Sequence, residues 1–324
     1  MRSRRPVRPW ATLSRGGQIR RVRAAAQGVL SVSIRIGRPL SHGENTTFEL
    51  QDGERQVLRV HRPGYHDAAT IDGELAWLDA LSAAGVAVPV PVPWPTGAQR
   101  LSIALPDGPA RWAVRFRWSV GRGDWREPTP PVHAERTGRL LATLHAHAAE
   151  WTPPTGFRRP DWTAAGLVGP HGTWGDPRTA VPPEWRGMVA EACARITESL
   201  EAADLAVGLV HHDLHRRNLL HRPGAVVPID FDDCGWGYLL TDWRIAQHHH
   251  HGDAASALDA AFDRGYRSVR PWVAPDPAVV DVIDRALQLR GLAWLWSRSD
   301  VPRLRAHRAK RMGPRLEALA RWMG

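Results

Sequence analysis

Lysine is almost absent from this chain. Of 43 Lys and Arg residues among 324, only Lys310 is a lysine. No Gly-x-x-x-x-Gly-Lys phosphate loop can exist, so any phosphate clamp in the core has to be arginine. Cysteine is scarce too. Cys193 and Cys234 form no disulfide framework and show no metal-ligand spacing, which points to a reducing, cytoplasmic setting. Long apolar runs are missing: no stretch approaches the roughly 18 residues of a membrane span. No hydrophobic segment follows Arg4-Arg5, so neither a membrane partner nor a secretion signal is expected.

The net charge of +10 is confined to the ends. Residues 1–23 hold eight Arg and no acid, and residues 298–324 hold eight basic and two acidic residues, leaving −4 for the body. A specific nucleic-acid groove through an acidic body is disfavoured, and the basic ends read as solvated. A hydrophobic content of 43% supplies a sizeable core, or two lobes.

The chain is organised around His211-His212-Asp213-Leu214-His215-Arg216-Arg217-Asn218, with Ile229-Asp230-Phe231-Asp232-Asp233 just behind it. Apolar runs flank the first segment, and Arg222-Pro223-Gly224 turns the chain into Ala225–Ile229. The expectation is strand, exposed loop, strand, turn, strand. The spacing fits H-x-D-x-x-x-x-N followed by a second Asp at a strand end, the pattern of a kinase catalytic loop. Phosphoryl transfer needs a carboxylate beside the attacking hydroxyl, which Asp213 supplies. It also needs hard oxygen ligands for Mg²⁺, which Asn218 and Asp230 supply.

Upstream, Val32–Ile36, then a polar turn inside Leu40–Leu50, then Gln56–Val60 read as a hairpin series with Asp52-Gly53 at its second turn. A glycine-bearing hairpin can lay backbone N–H groups over phosphates. Ala68–Ala84 reads as a helix with Ile71, Leu75, Leu78 and Leu81 as its apolar stripe. Glu74 flanks that stripe, and a carboxylate at the edge of a buried face needs a partner. In a kinase-like arrangement the partner is Arg59 on the third strand, which also grips the α/β-phosphates.

His211-x-Asp213-Leu214-His215-x-x-Asn218-Leu219-Leu220, with Ile229-Asp230-Phe231, resembles the aminoglycoside phosphotransferase / choline kinase-like family. In pattern it is nearest to the stress-response kinase and homoserine kinase branches. Two departures stand out: His212 where the family usually has Gly, and Asp232 where protein kinases have Gly. Ser41-His42-Gly43-Glu44-Asn45-Thr46-Thr47 resembles the family's nucleotide loop, and Leu141-Ala142-Thr143-Leu144-His145 its Leu-Ala-x-Leu-His helix.

The resemblance implies an α+β, bilobal, protein-kinase-like fold. A small antiparallel β lobe with one helix would span residues 18–117 and a mainly α-helical lobe 118–324, after a disordered basic tail at 1–17. It implies transfer of the ATP γ-phosphoryl group to a hydroxyl of a small-molecule acceptor, with Mg²⁺ as cofactor. Ser41, Gly43, Asn45 and Thr46 would cover the phosphates. A hinge at 117–122 would place Phe116–Val120, with Arg117 and Trp118, along the adenine. Asp242 would brace the catalytic loop's backbone, on a helix capped by Thr241 or Asp242.

Several segments carry plainer readings. His145 is a satisfied core histidine, and His248–His251 a solvated helix end, since consecutive helical residues cannot chelate together. Residues 152–183, rich in Pro, Gly and Trp, are too long for an idle loop and could close over the acceptor. Two rival functions stay open. A binuclear hydrolase would use His211, Asp213, His215 and Asp230 with their neighbours, bound to Mn²⁺, Zn²⁺ or Fe. A pseudokinase would bind nucleotide and act through partners.

Overall fold

Alternation of apolar and polar residues builds the first sheet. In Thr46–Asp52 the side chains of Thr46, Phe48 and Leu50 are buried while Thr47, Glu49 and Gln51 face outward. A computed structural model describes residues 10–31, 33–43, 45–106, 108–123, 129–248, 250, 254–273, 275–298 and 302–324, with backbone only at 11, 302–307 and 309.

The amino-terminal part opens with α1 (Arg15–Gln27), capped by the Ser14 hydroxyl. Five antiparallel strands follow: β1 (Arg35–His42), β2 (Thr46–Asp52), β3 (Glu54–Val60), β4 (Leu101–Ile103) and β5 (Arg111–Arg117), in spatial order β1-β2-β3-β5-β4. The helix α2 (Ala68–Ala83) starts on Asp67, whose carboxylate accepts from Thr70 N at 2.8 Å. One face of the sheet packs on α1 through Ile19, Val22, Phe48, Leu58 and Val60. A second core joins α2 to Val114, Phe116 and the larger lobe through Trp77, Leu78 and Phe231.

The chain crosses between lobes after β5. β6 (Arg122–Gly123) pairs with β9 (Leu219–Arg222), which pairs with β10 (Ala225–Pro228). The crossing is tight: a Cβ on Gly121 would lie 2.7 Å from Leu220 Cβ, so glycine lets the connection press against the β9–β10 hairpin. A further small sheet contains β7 (Asp161–Trp162), β8 (Val207–Val210) and β11 (Gly235–Tyr238), in order β7-β11-β8. The helices of this lobe are α3 (Pro131–Glu150), α4 (Ala164–Val168), α5 (Arg186–Ala202), α6 (Leu239–Gln247), α7 (Ala255–Arg267), α8 (Pro277–Ser297) and α9 (Pro302–Met323). Their apolar stripes meet around Ile196, Leu289 and Leu316. The result is the expected bilobal α+β, protein-kinase-like architecture. No helix among the described residues is long and apolar enough to cross a membrane.

Four local expectations need correction. Residues 10–17 are not a disordered tail: Trp10–Thr12 form a 3-10 turn, the helix begins at Arg15, and Arg111 lies over the Trp10 ring at 4.1 Å. Residues 1–9 lie outside the described residues. The small lobe thus carries α1 as well as α2. Residues 40–42 extend β1 rather than forming a turn, because Ser41 Oγ meets Thr47 Oγ1 at 2.7 Å and His42 Nδ1 meets Thr46 Oγ1 at 2.8 Å across the hairpin. Finally, α6 starts at Leu239, so Thr241 and Asp242 sit in its first turn rather than at its cap. His250 is no solvated helix end either: Nδ1 meets Asp259 Oδ1 at 2.7 Å, and the ring stands 6.1 Å from Phe262. His249 and His251 lie outside the described residues.

Candidate active site

The loop after β8 is pinned from below. Asp242 is fully buried, and its two oxygens accept from His212 N at 2.6 Å and His211 N at 2.7 Å. His145 Nε2 meets the same carboxylate at 3.3 Å while its Nδ1 meets Tyr266 Oη at 2.7 Å. Asp242 thus braces the loop backbone as expected, and His145 is a satisfied core histidine. His212 adopts φ 61°, the left-handed region that explains the glycine usual at this position. Its ring stacks on Trp162 at 3.9 Å and 16°.

Above this floor, Asn218 Nδ2 donates to Asp213 Oδ2 at 2.8 Å and to Asp213 O at 3.0 Å. Its amide nitrogen is thereby committed, and Oδ1 is the atom left to meet a cation. Asp230 follows β10 with φ 67° and ψ 63°, a second left-handed non-glycine residue, and half of its side chain faces the cleft. Enclosure by the cleft walls, then the charge of Asp232, raises its pKa to about 8, against the pull of Arg59. An oxygen-only donor set under that repulsion suits a hard divalent cation, so the residues fit Mg²⁺.

Arg59 and Glu74 form the expected pair, Nη2 to Oε2 at 2.5 Å, with both side chains buried. Arg59 Nη1 also lies 3.8 Å from Asp230 Oδ1. Burial opposes its charge, but Glu74, Asp232 and Asp230 outweigh it and hold its pKa above the ordinary value.

These groups share one cleft of about 1550 Å³ between the lobes. Ser41, Gly43, Asn45, Arg59, Glu74, Arg117, Trp118, Asp213, Asn218 and Asp230 all line it. Thr46 does not. It points inward to His42, and by strand alternation Thr47 takes its place on the cleft side. Trp118 is covered on one face by the Arg55 guanidinium, 3.5 Å from the ring centre. Glu44 lies outside the described residues.

Sequence reasoning missed the groups that hold Asp230 in place. Asp232 is buried and accepts from Asn45 Nδ2 at 2.8 Å, with His61 Nδ1 at 3.3 Å and His66 Nε2 at 3.6 Å. Burial alone would raise its pKa; His66, His61 and Arg59 hold it well below the usual carboxylate range. Arg159 reaches out of the 152–183 insert to four carbonyls: Cys234 O and Thr70 O at 2.6 Å, Asp232 O at 2.5 Å and Phe231 O at 3.3 Å. The insert also sends Trp174 into the cleft, where its Nε1 donates to Tyr65 Oη at 2.6 Å. A histidine pair around a four-residue turn was the available signal for Asp232. None existed for Arg159.

The binuclear hydrolase is not assembled. The His211 ring is buried against Phe231, and His212 against Trp162. Burial lowers the pKa of His211 to about 4 and of His212 well below its ordinary value. Among the described residues the acidic and histidine side chains that gather as a possible cation site are instead His61, Glu74 and Asp232, and Glu74 is already held by Arg59.

Known proteins are similar to this chain in sequence and fold. A protein named amicoumacin kinase, from Bacillus subtilis (strain 168), is 25% identical over 232 residues, covering 68% of this chain and 64% of its own length. A microcompartment-associated aminopropanol kinase superposes with a TM-score of 0.76 at 28% identity, over 93% of this chain and 96% of that one. The amicoumacin kinase hAmiN, solved with AMP-PNP, Ca²⁺ and Ami, superposes with a TM-score of 0.72 at 18% identity over 89% of each chain. The model of the phosphotransferase enzyme family matches residues 36–279, from β1 into α8. The chain is a kinase and belongs to the phosphotransferase enzyme family.

Proposed function

We propose that this kinase transfers the γ-phosphoryl group of ATP to a hydroxyl of a small molecule, with Mg²⁺ held by Asn218 and Asp230. The observation that carries the reading is the convergence of Asp213, Asn218 and Asp230 on the cleft that also receives the buried Arg59–Glu74 pair. Asp213 orients the acceptor hydroxyl and takes its proton. The acceptor oxygen bonds the γ-phosphorus as the bond to the bridging oxygen breaks, and ADP leaves with that electron pair. When bound, Mg²⁺ neutralises the charge growing on the phosphate oxygens.

Arg59 faces the phosphates from β3, and Glu74 fixes its direction. Residues 41–47 fold over the phosphates, and Phe116–Val120 lie along the adenine, with the lobes divided after Arg117. Two buried thiols suit a reducing, cytoplasmic setting, and no helix among the described residues is long and apolar enough to cross a membrane. A complex of hAmiN with a nucleotide analogue and a divalent cation supports the same use of the cleft.

The test is thermal unfolding with and without Mg-ATP, on wild type and Asp230→Ala. Nucleotide at a hundred times its dissociation constant adds about 2.7 kcal/mol. A shift that needs Mg²⁺ and shrinks in the variant supports the site. No shift with ATP or GTP removes the reading.

A further inference from the structure

Beyond Asp213 the cleft is bounded by α8 and α9, and the wall there is cationic. Arg290 on α8 and Arg311 and Arg315 on α9 all line it. Arg290 is fixed next to the catalytic loop: Nη1 donates to His212 O at 3.3 Å, one residue before Asp213. Its guanidinium lies 4.6 Å from the Trp174 ring centre and 5.8 Å from that of Trp162. Arg315 is seated on the same helix, with Nη1 only 2.8 Å from where a Cβ on Gly291 would stand. The two acids of α8 are committed elsewhere, Asp281 to Arg285 at 2.8 Å and Asp284 to Arg244 at 2.7 Å. Arg311 and Arg315 form no ion pair among the described residues. Partial burial, then the charges of Arg311 and Arg290, lower the pKa of Arg315, as expected for guanidinium groups that face one another.

The aromatic faces nearby are taken. Arg290 covers Trp174, and Arg298 lies 4.7 Å over Tyr65 and 5.8 Å from the Trp294 centre. An ammonium group seeking an aromatic cage would meet arginine charge instead.

We propose that the acceptor carries, besides its hydroxyl, an anionic group, a carboxylate or a phosphate monoester, gripped by Arg311 and Arg315 while the hydroxyl sits at Asp213. This rests on the phosphotransferase reading and adds the charge class of the acceptor, which is opposite to that of an amino alcohol.

The test titrates the full chain, with Mg-ADP present, with glycerate, glycerol 3-phosphate and 1-amino-2-propanol, and reads tryptophan fluorescence. Arg315→Gln and Arg311→Gln are run alongside, each checked for folding by its melting temperature. At least one anion should saturate with a Kd about tenfold or more below that of the amino alcohol, and Arg315→Gln should raise that Kd by about tenfold. Arg311→Gln, at the exposed rim, should raise it by about threefold. Saturation by glycerate alone assigns a carboxylate, and by glycerol 3-phosphate alone a phosphate. If neither anion binds more tightly than the amino alcohol, or if both variants bind anions as wild type does, the proposal is overturned. A wild-type protein that shows no Mg-ATP melting shift fails the underlying reading instead, whatever the anions do.

Discussion

Asn45 Nδ2 donates to Asp232 Oδ2 at 2.8 Å, joining positions 187 residues apart. The same Asn45 accepts through Oδ1 from Arg62 N at 3.1 Å. One buried amide thus ties the turn between β1 and β2 to the segment that presents Asp230. Asn45→Ala strands a buried carboxylate oxygen, at a cost of about 1–3 kcal/mol. Urea unfolding should show that loss. A double-mutant cycle with Asp232→Asn should give a coupling of at least about 0.5 kcal/mol. Strict additivity would mean that the bond contributes nothing.

Asp213→Asn keeps an oxygen for Asn218 Nδ2 and removes the base. Turnover should fall by about 10²–10⁴-fold with nucleotide affinity little changed. A rate close to wild type would take the base role from Asp213.

Glu74→Gln takes from buried Arg59 the nearest of its charge partners. Breaking a buried pair in this way costs about 3–5 kcal/mol. Arg59→Lys should cost less stability but raise the KM for nucleotide, since a point charge cannot reproduce the guanidinium fork. Equal KM values for wild type and Arg59→Lys would argue against phosphate contact by this residue.

Stability should fall as pH drops through the histidine range. His211 has a folded pKa of about 4 and His212 one well below its ordinary value, both from burial. The unfolded chain therefore takes up protons that the fold refuses. The stability they contribute is complete above pH about 6.5 and is lost as pH falls below it, by up to about 1.4 kcal/mol per unit for each residue. His212→Asn tolerates the left-handed φ and removes one titrating ring. Its unfolding midpoint should lose less between pH 7 and pH 5 than that of wild type, whatever its absolute stability. Parallel pH curves would show that His212 does not titrate on unfolding.

Local signals carried far. The Asp213–Asn218 spacing, the second Asp after a strand, and the Arg59–Glu74 pair each rest on neighbouring residues with a fixed chemical need. All are found in one cleft. Thr46 was misplaced because a loop motif does not reveal the phase of the strand it enters, and Thr47 faces the cleft instead. Asp232 looked like a departure from a glycine position, whereas its partners His61 and His66 become visible only when β3 and the loop after it fold against Asp230. Arg159 left no trace at all. All four of its hydrogen bonds go to backbone carbonyls more than 70 residues away, and a carbonyl has no side-chain identity to read.

The four carbonyls under Arg159 also set the terms for redesign. One belongs to Thr70 on α2, and the others lie in the segment just after Asp230. The segment that brings Trp174 into the cleft is therefore also a rivet between the lobes. A swap of this segment between related enzymes, made to transplant acceptor preference, would carry away the bolt with the lid unless an arginine in register with Arg159 travelled with it. Any change made in these thirty-odd residues to alter the acceptor would have to keep the lobe geometry with it.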